Sequence, residues 1–227
     1  MENLKKQAGV EAAKFVQPDM IVGLGTGSTA AFFVEEVARR VREENLRITA
    51  VTTSDATAAQ AEVLGMTISA FDSVPYVDLT VDGVDEFDPA LNGIKGGGAA
   101  LLMEKIVAVN SHDIIWIADE RKRVQQLGAF PLPVEVVQFG AGLLFEKFER
   151  AGYHPSWRTS SSAGNRLVTD QGHFIIDLHL GKITDAGKLA LSLDQTVGVV
   201  EHGLFLNLAK KVILAGQDGI ELIFDNS

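Results

Sequence analysis

The 227-residue sequence contains no cysteine. Disulfides, zinc–thiolate sites, iron–sulfur clusters and cysteine nucleophiles are therefore excluded. Aromatic residues are scarce, at 7%, and positive charge is in deficit, with 20 Lys+Arg against 30 Asp+Glu and a formal net charge of −10. A surface this acidic repels phosphate backbones, and the few aromatics lack the basic neighbours of a base-stacking platform, so no nucleic-acid partner is expected. No run approaches the roughly 18 apolar residues of a membrane span. The segment MENLKKQAGVEAAKFVQPDM carries charges throughout, unlike a signal peptide. A soluble, cytoplasmic protein with no membrane partner is the expectation. Hydrophobic residues reach 46%, which excludes general disorder and supplies a conventional core.

The first half alternates apolar strands with helical segments. Glu2–Val16 reads as a helix and Met20–Leu24 as a strand; Thr29–Glu43 has helical apolar spacing through Phe33, Val34, Val37 and Val41. Ser54 is placed to cap a helix that Gly65 ends. Further strands are expected at Ile48–Thr52, Thr67–Ala70, Leu79–Val81 and Asp113–Ala118, with a helix over Ala99–Val109. Such alternation implies a Rossmann-like α/β domain built on a parallel sheet. Beyond Pro131 the order becomes strand, helix, strand, strand, helix, strand, with hairpin segments at Arg166–Thr169 and His173–Leu178. That order predicts a smaller α+β unit of the split-βαβ, ferredoxin-like kind. The expected division is residues 1–130 with 206–227 as the α/β domain and 131–205 as the smaller one, placed at a subunit interface.

Three patches interrupt this pattern. GLGTGST, Gly23 to Thr29, lies between a strand and a helix. Its glycines let backbone N–H groups approach an anion, the helix N-terminus adds a favourable dipole, and Thr26, Ser28 and Thr29 add hydroxyls. It matches neither the dinucleotide fingerprint nor a Walker loop and suits a phosphomonoester better; a tight βα turn with a Ser/Thr cap is the plainer alternative. VDGVDEFDP, Val81 to Pro89, clusters Asp82, Asp85 and Glu86 at a strand end, where carboxylates can bind a cation, exchange protons or hold sugar hydroxyls. A solvated acidic turn has the same composition. IKGGGAALLMEKI, Ile94 to Ile106, sets Lys95 and three glycines before a helix that carries Glu104 about two turns in. Bare backbone there can present N–H donors to an oxyanion, whereas an exposed helical glutamate is the ordinary alternative for Glu104. His112, His154, His173, His179 and His202 lack metal-ligand spacing, and no metal site is expected.

In this order and spacing, the three patches resemble ribose-5-phosphate isomerases of type A, reinforced by IADERKRVQQLGAFPLPVEV, TDQGHFIIDLH and VGVVEHGLF. The resemblance covers essentially the whole chain. It implies interconversion of D-ribose 5-phosphate and D-ribulose 5-phosphate in the non-oxidative pentose phosphate pathway, without metal or organic cofactor, by a homodimer or higher homo-oligomer. It implies that Thr26, Gly27, Ser28 and Thr29 hold substrate, chiefly its phosphate. Asp82, Gly83, Val84 and Asp85 would contact the sugar, with the two aspartates assisting ring opening. Lys95 with Gly96, Gly97 and Gly98 would stabilise an enediolate, Glu104 would be the base, and Lys122 and Lys5 would be further substrate contacts. A non-catalytic sugar-phosphate sensor and an acyl-CoA transferase-like enzyme are the alternatives that such a fold can host.

Overall fold

Each strand in the first half of the chain is followed by a turn and then by a helix or another strand. The computed structural model describes residues 2–160 and 164–225; residues 1, 161–163 and 226–227 fall within the expected domain ranges and lie outside the described residues. The elements begin with α1 (Glu2–Ala13), β1 (Ile21–Leu24), α2 (Ala30–Glu43), β2 (Thr49–Thr52), α3 (Asp55–Val63), β3 (Val77–Gly83), β4 (Glu86–Phe87), β5 (Gly93–Ile94), α4 (Leu101–Val109) and β6 (Ser111–Asp119). They continue with β7 (Leu132–Val136), α5 (Ala141–Arg150), β8 (Pro155–Trp157), β9 (Phe174–Leu178), α6 (Ala186–Asp194), β10 (Val199–His202), β11 (Leu204–Phe205), β12 (Lys211–Gly216) and β13 (Gly219–Phe224).

The chain divides into two compact units, one of Met1–Val84, Met103–Arg123 and Asn207–Ser227, the other of Asp85–Leu102 and Val124–Leu206. The expected division put residues 85–102 and 124–130 in the first unit. They group with the second because β5 pairs with β11 and β4 with β5, and because Val124 N donates to Phe87 O at 2.9 Å. Two-residue strands with distant partners leave no periodic signal in the sequence.

In the first unit a six-stranded sheet has the order β13-β12-β6-β3-β1-β2, parallel except for β13. Its central strands are near-continuous apolar runs, as a parallel sheet covered on both faces requires. Phe33, Val34 and Val37 of α2 recur at helical spacing and are buried in one core with Leu24, Val81, Ile115, Ile117 and Ile213. Ser54 caps α3, its Oγ accepting from Thr57 N at 3.1 Å, and Gly65 takes φ +82° just past its end. Residues 67–70 form no strand: the segment touches the sheet through one bridge, Ala50 to Ile68.

In the second unit an antiparallel sheet has the order β10-β7-β9-β8. With α5 and α6 this is the expected split-βαβ arrangement, β9 lying between β7 and β8. Leu132, Val134, Val136, Ile176 and Leu178 pack with Leu144, Phe148 and Leu193. The partner of β9 is Pro155–Trp157 and not Arg166–Thr169, which reaches the ladder only through a Thr159–Arg166 bridge and a Leu167 N to Arg158 O bond. Pro155 reads as a breaker, yet at an edge its missing N–H costs no ladder bond. Among the described residues no helix is long and apolar enough to cross a membrane.

Candidate active site

In the first unit, the loop after β1 is drawn against the end of β3. A Cβ at Gly25 would collide with the backbone of Asp82, and Gly27 has φ +106°, a region that side chains disfavour. Strand β1 has β2 on one side and β3 on the other. The chain therefore changes direction across the sheet at this point, where open α/β sheets bind ligands beyond their strand ends. Buried Asp82 accepts through Oδ1 from Thr26 N at 2.8 Å and from Gly83 N at 2.7 Å; neighbouring Val84 is buried too.

The Thr26 hydroxyl faces inward, 2.7 Å from Thr53 Oγ1, 2.8 Å from Ser54 Oγ and 3.2 Å from Thr57 Oγ1. One hydroxyl offers one donor and two acceptor sites, so these partners saturate it. Thr26 thus orders the loop, and Ser28, Thr29 and the backbone are its other polar groups. Thr29 caps α2 without a side-chain bond among the described residues. In the first turn of α2, Ala31 N donates to Gly27 O at 2.9 Å and Phe32 N to Thr29 O at 3.2 Å, and the helix dipole favours an anion ahead of them. From α1, Lys5 Nζ donates to Ser28 Oγ at 2.7 Å.

Glu104, 4% exposed, lies in the first turn of α4 because the helix begins at Leu101, two residues later than the expected Ala99. Lys122 ends a short 3₁₀ turn, Glu120–Lys122, that follows β6. Asp119 caps this turn, accepting from Arg121 N at 3.2 Å, Nε at 2.8 Å and Nη2 at 2.9 Å. Those guanidinium hydrogen bonds hold the Asp119 carboxyl below the usual carboxylate range.

In the second unit, Asp85 N donates to Ile94 O at 2.9 Å, and Asp85 Oδ2 accepts from Gly97 N at 2.7 Å. A Cβ at Gly97 would lie 2.7 Å from that carboxylate, which would then have to shift. Gly96 is buried at φ +101°, whereas Gly97 and Gly98 are exposed, leaving bare backbone open. Lys95 is 3% exposed; its N donates to Gly203 O at 2.9 Å and its Nζ lies 5.5 Å from the Phe205 ring centroid. Glu86, grouped with the site acids from sequence, is instead a buried brace that accepts from Gly128 N at 2.5 Å and Phe130 N at 2.6 Å.

Asp194, Glu201 and His202 bring ligand atoms within 4.8 Å of one another. His202 Nδ1 accepts from Leu204 N at 3.2 Å and Nε2 lies 3.1 Å from Asp194 Oδ1. Both ring nitrogens are engaged, as in a satisfied core histidine.

A family model described as ribose 5-phosphate isomerase A (phosphoriboisomerase A) matches residues 49–219. The chain is 61% identical over 223 residues to a ribose-5-phosphate isomerase A of Lactococcus lactis subsp. cremoris (strain SK11), covering 98% of this chain and 99% of that protein. The chain belongs to the ribose-5-phosphate isomerase A family. Among solved structures, a D-ribose-5-phosphate isomerase in complex with phospho-erythronic acid superposes at TM-score 0.95, with 36% identity and 98% of each chain covered. Ribose 5-phosphate isomerase from Plasmodium falciparum superposes at 0.94, with 31% identity over the full length of both chains.

The family match begins after the β1 loop, and the relatives that align along the whole chain extend it over that loop and Lys5. For a ribose-5-phosphate isomerase A, sequence reasoning missed two features. One is the inner hydroxyl set of Thr53, Ser54 and Thr57. The other is Arg158, whose Nη1 donates to Gly96 O at 3.1 Å and Gly97 O at 3.0 Å. A usable signal existed for its partner: Asp177 is a lone acid within FIIDL, and an acid in a buried strand needs a buried cation.

Proposed function

We propose that this isomerase interconverts D-ribose 5-phosphate and D-ribulose 5-phosphate through an enediolate, with Glu104 as the base. Family membership over the whole chain carries the reading, and the loop at the switch point beside Asp82 supports it. In this reading the amides of Gly27, Ser28 and Thr29, with Ser28, Thr29 and Lys5, hold the phosphate while Thr26 keeps the loop in place. Asp82 and Asp85, with Gly83 and Val84, meet the sugar, and the aspartates move protons between oxygens in ring opening. Glu104 carries the proton between the two carbons. A glutamate is a weak base for a carbon acid, so the developing charge needs strong stabilisation. Lys95 and the amides of Gly96, Gly97 and Gly98 supply it, and Lys122 is a further substrate contact.

No step in this chemistry needs a metal or an organic cofactor. The same reading makes the protein a cytoplasmic enzyme of the pentose phosphate pathway and a homodimer or higher homo-oligomer. The test is conversion of ribose 5-phosphate in the presence of a chelator, with Glu104→Gln alongside. Undiminished activity in chelator and a loss of kcat by about 10³ or more in the variant are expected; an active variant would remove Glu104 from its role.

A further inference from the structure

The side chain of Arg158 is mounted on rigid backbone. Arg158 continues β8, its N donating to Ile175 O at 3.0 Å and its carbonyl accepting from Leu167 N at 2.9 Å. Nε and Nη2 fork onto Asp177 Oδ2 and Oδ1 at 2.6 and 2.5 Å, and Asp177 lies on β9 opposite Ser156. The pair is largely buried, with side chains 17% and 11% exposed. The remaining nitrogen, Nη1, makes the two bonds to Gly96 O and Gly97 O.

In a trans peptide the C=O and N–H point in opposite directions, and the described residues contain no cis bond. The Gly96–Gly97 peptide is thus held from both sides, its carbonyl by Arg158 and its N–H by Asp85 Oδ2 at 2.7 Å. In the Gly97–Gly98 peptide the carbonyl is held in the same way, so the N–H of Gly98 is directed away from the guanidinium. A cation on a carbonyl oxygen withdraws electron density through the amide and strengthens the N–H as a donor.

We infer that Arg158, braced by Asp177, is a positioning residue of the isomerase, fixing and polarising two consecutive peptides so that their N–H groups serve Asp85 and the enediolate oxygen. The inference rests on the isomerase reading above. A pair serving only to join β8 to β9 is complete with the fork onto Asp177 and has no use for the bonds to the glycine loop.

The experiment measures kcat, KM for ribose 5-phosphate and the ¹⁵N–¹H spectrum of wild type, Arg158→Lys, Arg158→Met and Glu104→Gln, with denaturation midpoints to establish folding. Loss of one oxyanion donor costs roughly 10²–10³ in rate, and lysine cannot reproduce the planar fork. A fall in kcat of about 100-fold in Arg158→Met and about 10-fold in Arg158→Lys is expected, with KM within about threefold. The amide proton of Gly97 moves upfield in both Arg158 variants and stays in place in Glu104→Gln. Arg158→Lys with kcat within twofold of wild type and an unmoved Gly97 amide overturns the inference. An inactive wild type would defeat the isomerase reading and with it the catalytic part of the inference, while the amide shift would still decide whether Arg158 holds the loop.

Discussion

The carboxylate of Asp82 receives the backbone N–H of Thr26 at 2.8 Å, tying the loop after β1 to the acid that ends β3. One side chain therefore holds the loop to which the proposed function gives the phosphate, and is itself the acid to which that proposal gives the sugar hydroxyls. The two duties separate by substitution. In Asp82→Asn the amide oxygen still accepts from Thr26 N and Gly83 N, but the charge is gone. In Asp82→Ala the loop loses its acceptor as well. A hydrogen bond to a charged group contributes roughly 1.5–3 kcal/mol, or about 10- to 150-fold. Asp82→Asn should lower kcat by that order with KM nearly unchanged, whereas Asp82→Ala should also raise KM. Steady-state kinetics on both variants check this; equal KM values would show that Asp82 does not hold the loop.

Lys95 depends on a glycine far away in sequence. Lys95 N donates to Gly203 O, and a Cβ at Gly203 would collide with Lys95 O and lie 2.8 Å from Pro133 Cδ. Backbone and a proline ring cannot yield as a flexible side chain does. Gly203→Ala should cost about 1–3 kcal/mol, in the range of overpacked cores, and should lower kcat by displacing Lys95. Gly142, in the first turn of α5, is the matched control, with open space around its Cβ and no positive φ. Gly142→Ala should stabilise by about 0.5–1 kcal/mol and leave kcat alone. Urea denaturation of both variants gives the two signs directly.

Local rules made much of the fold legible. Ser54 and Gly65 punctuate α3 by capping chemistry alone, and the apolar spacing of α2 identifies its buried face before any partner is known. The glycine patches were equally readable, because Gly25 is needed where the loop meets the backbone of Asp82 and Gly97 lies against the Asp85 carboxylate. What stayed hidden depends on partners distant in sequence. The inward turn of the Thr26 hydroxyl is set by residues about 30 positions away, and the bracing role of Glu86 by amides more than 40 away. Arg158 meets Gly96 and Gly97 across about 60 residues, and no motif spans that gap. The β4–β5–β11 sheet was invisible for the same reason, its strands being two residues each.

Asp119 makes the stability of the Lys122 turn depend on pH. Hydrogen bonds from Arg121 hold its carboxyl below the ordinary range. A carboxyl depressed on folding stabilises the native state at every pH above its unfolded value, near 4, and that contribution disappears as pH falls through the lower folded value. The contribution is small, about 1 kcal/mol or less, because the Arg121 side chain is 57% exposed and the pair is screened by water. Asp119→Asn should therefore lower stability slightly at pH 7 and converge with wild type in strong acid. Urea midpoints from pH 2 to 7 test the sign; a difference that widens toward low pH would contradict the depressed carboxyl.

Lys5 stands at the loop from a separate helix, its Nζ 2.7 Å from Ser28 Oγ. An acidic protein of net charge −10 must offer a phosphate dianion local positive charge against its own field. In the proposed function the amides of Gly27, Ser28 and Thr29 and the dipole of α2 supply part of this at fixed positions, and Lys5 adds a full unit charge on a flexible stem. Such a charge acts on the phosphate equally before and at the transition state, so its removal weakens binding without slowing chemistry. Lys5→Met keeps the stem and should raise KM for ribose 5-phosphate about 5- to 10-fold, with kcat within twofold, the size of one charge-assisted hydrogen bond. Because the side chain is only half-buried, salt should screen the effect. Raising KCl should increase KM more steeply in wild type than in the variant, until the two approach each other. A KM that is unchanged by Lys5→Met at low salt would leave Lys5 as a partner of Ser28 alone and confine phosphate recognition to the loop and the start of α2.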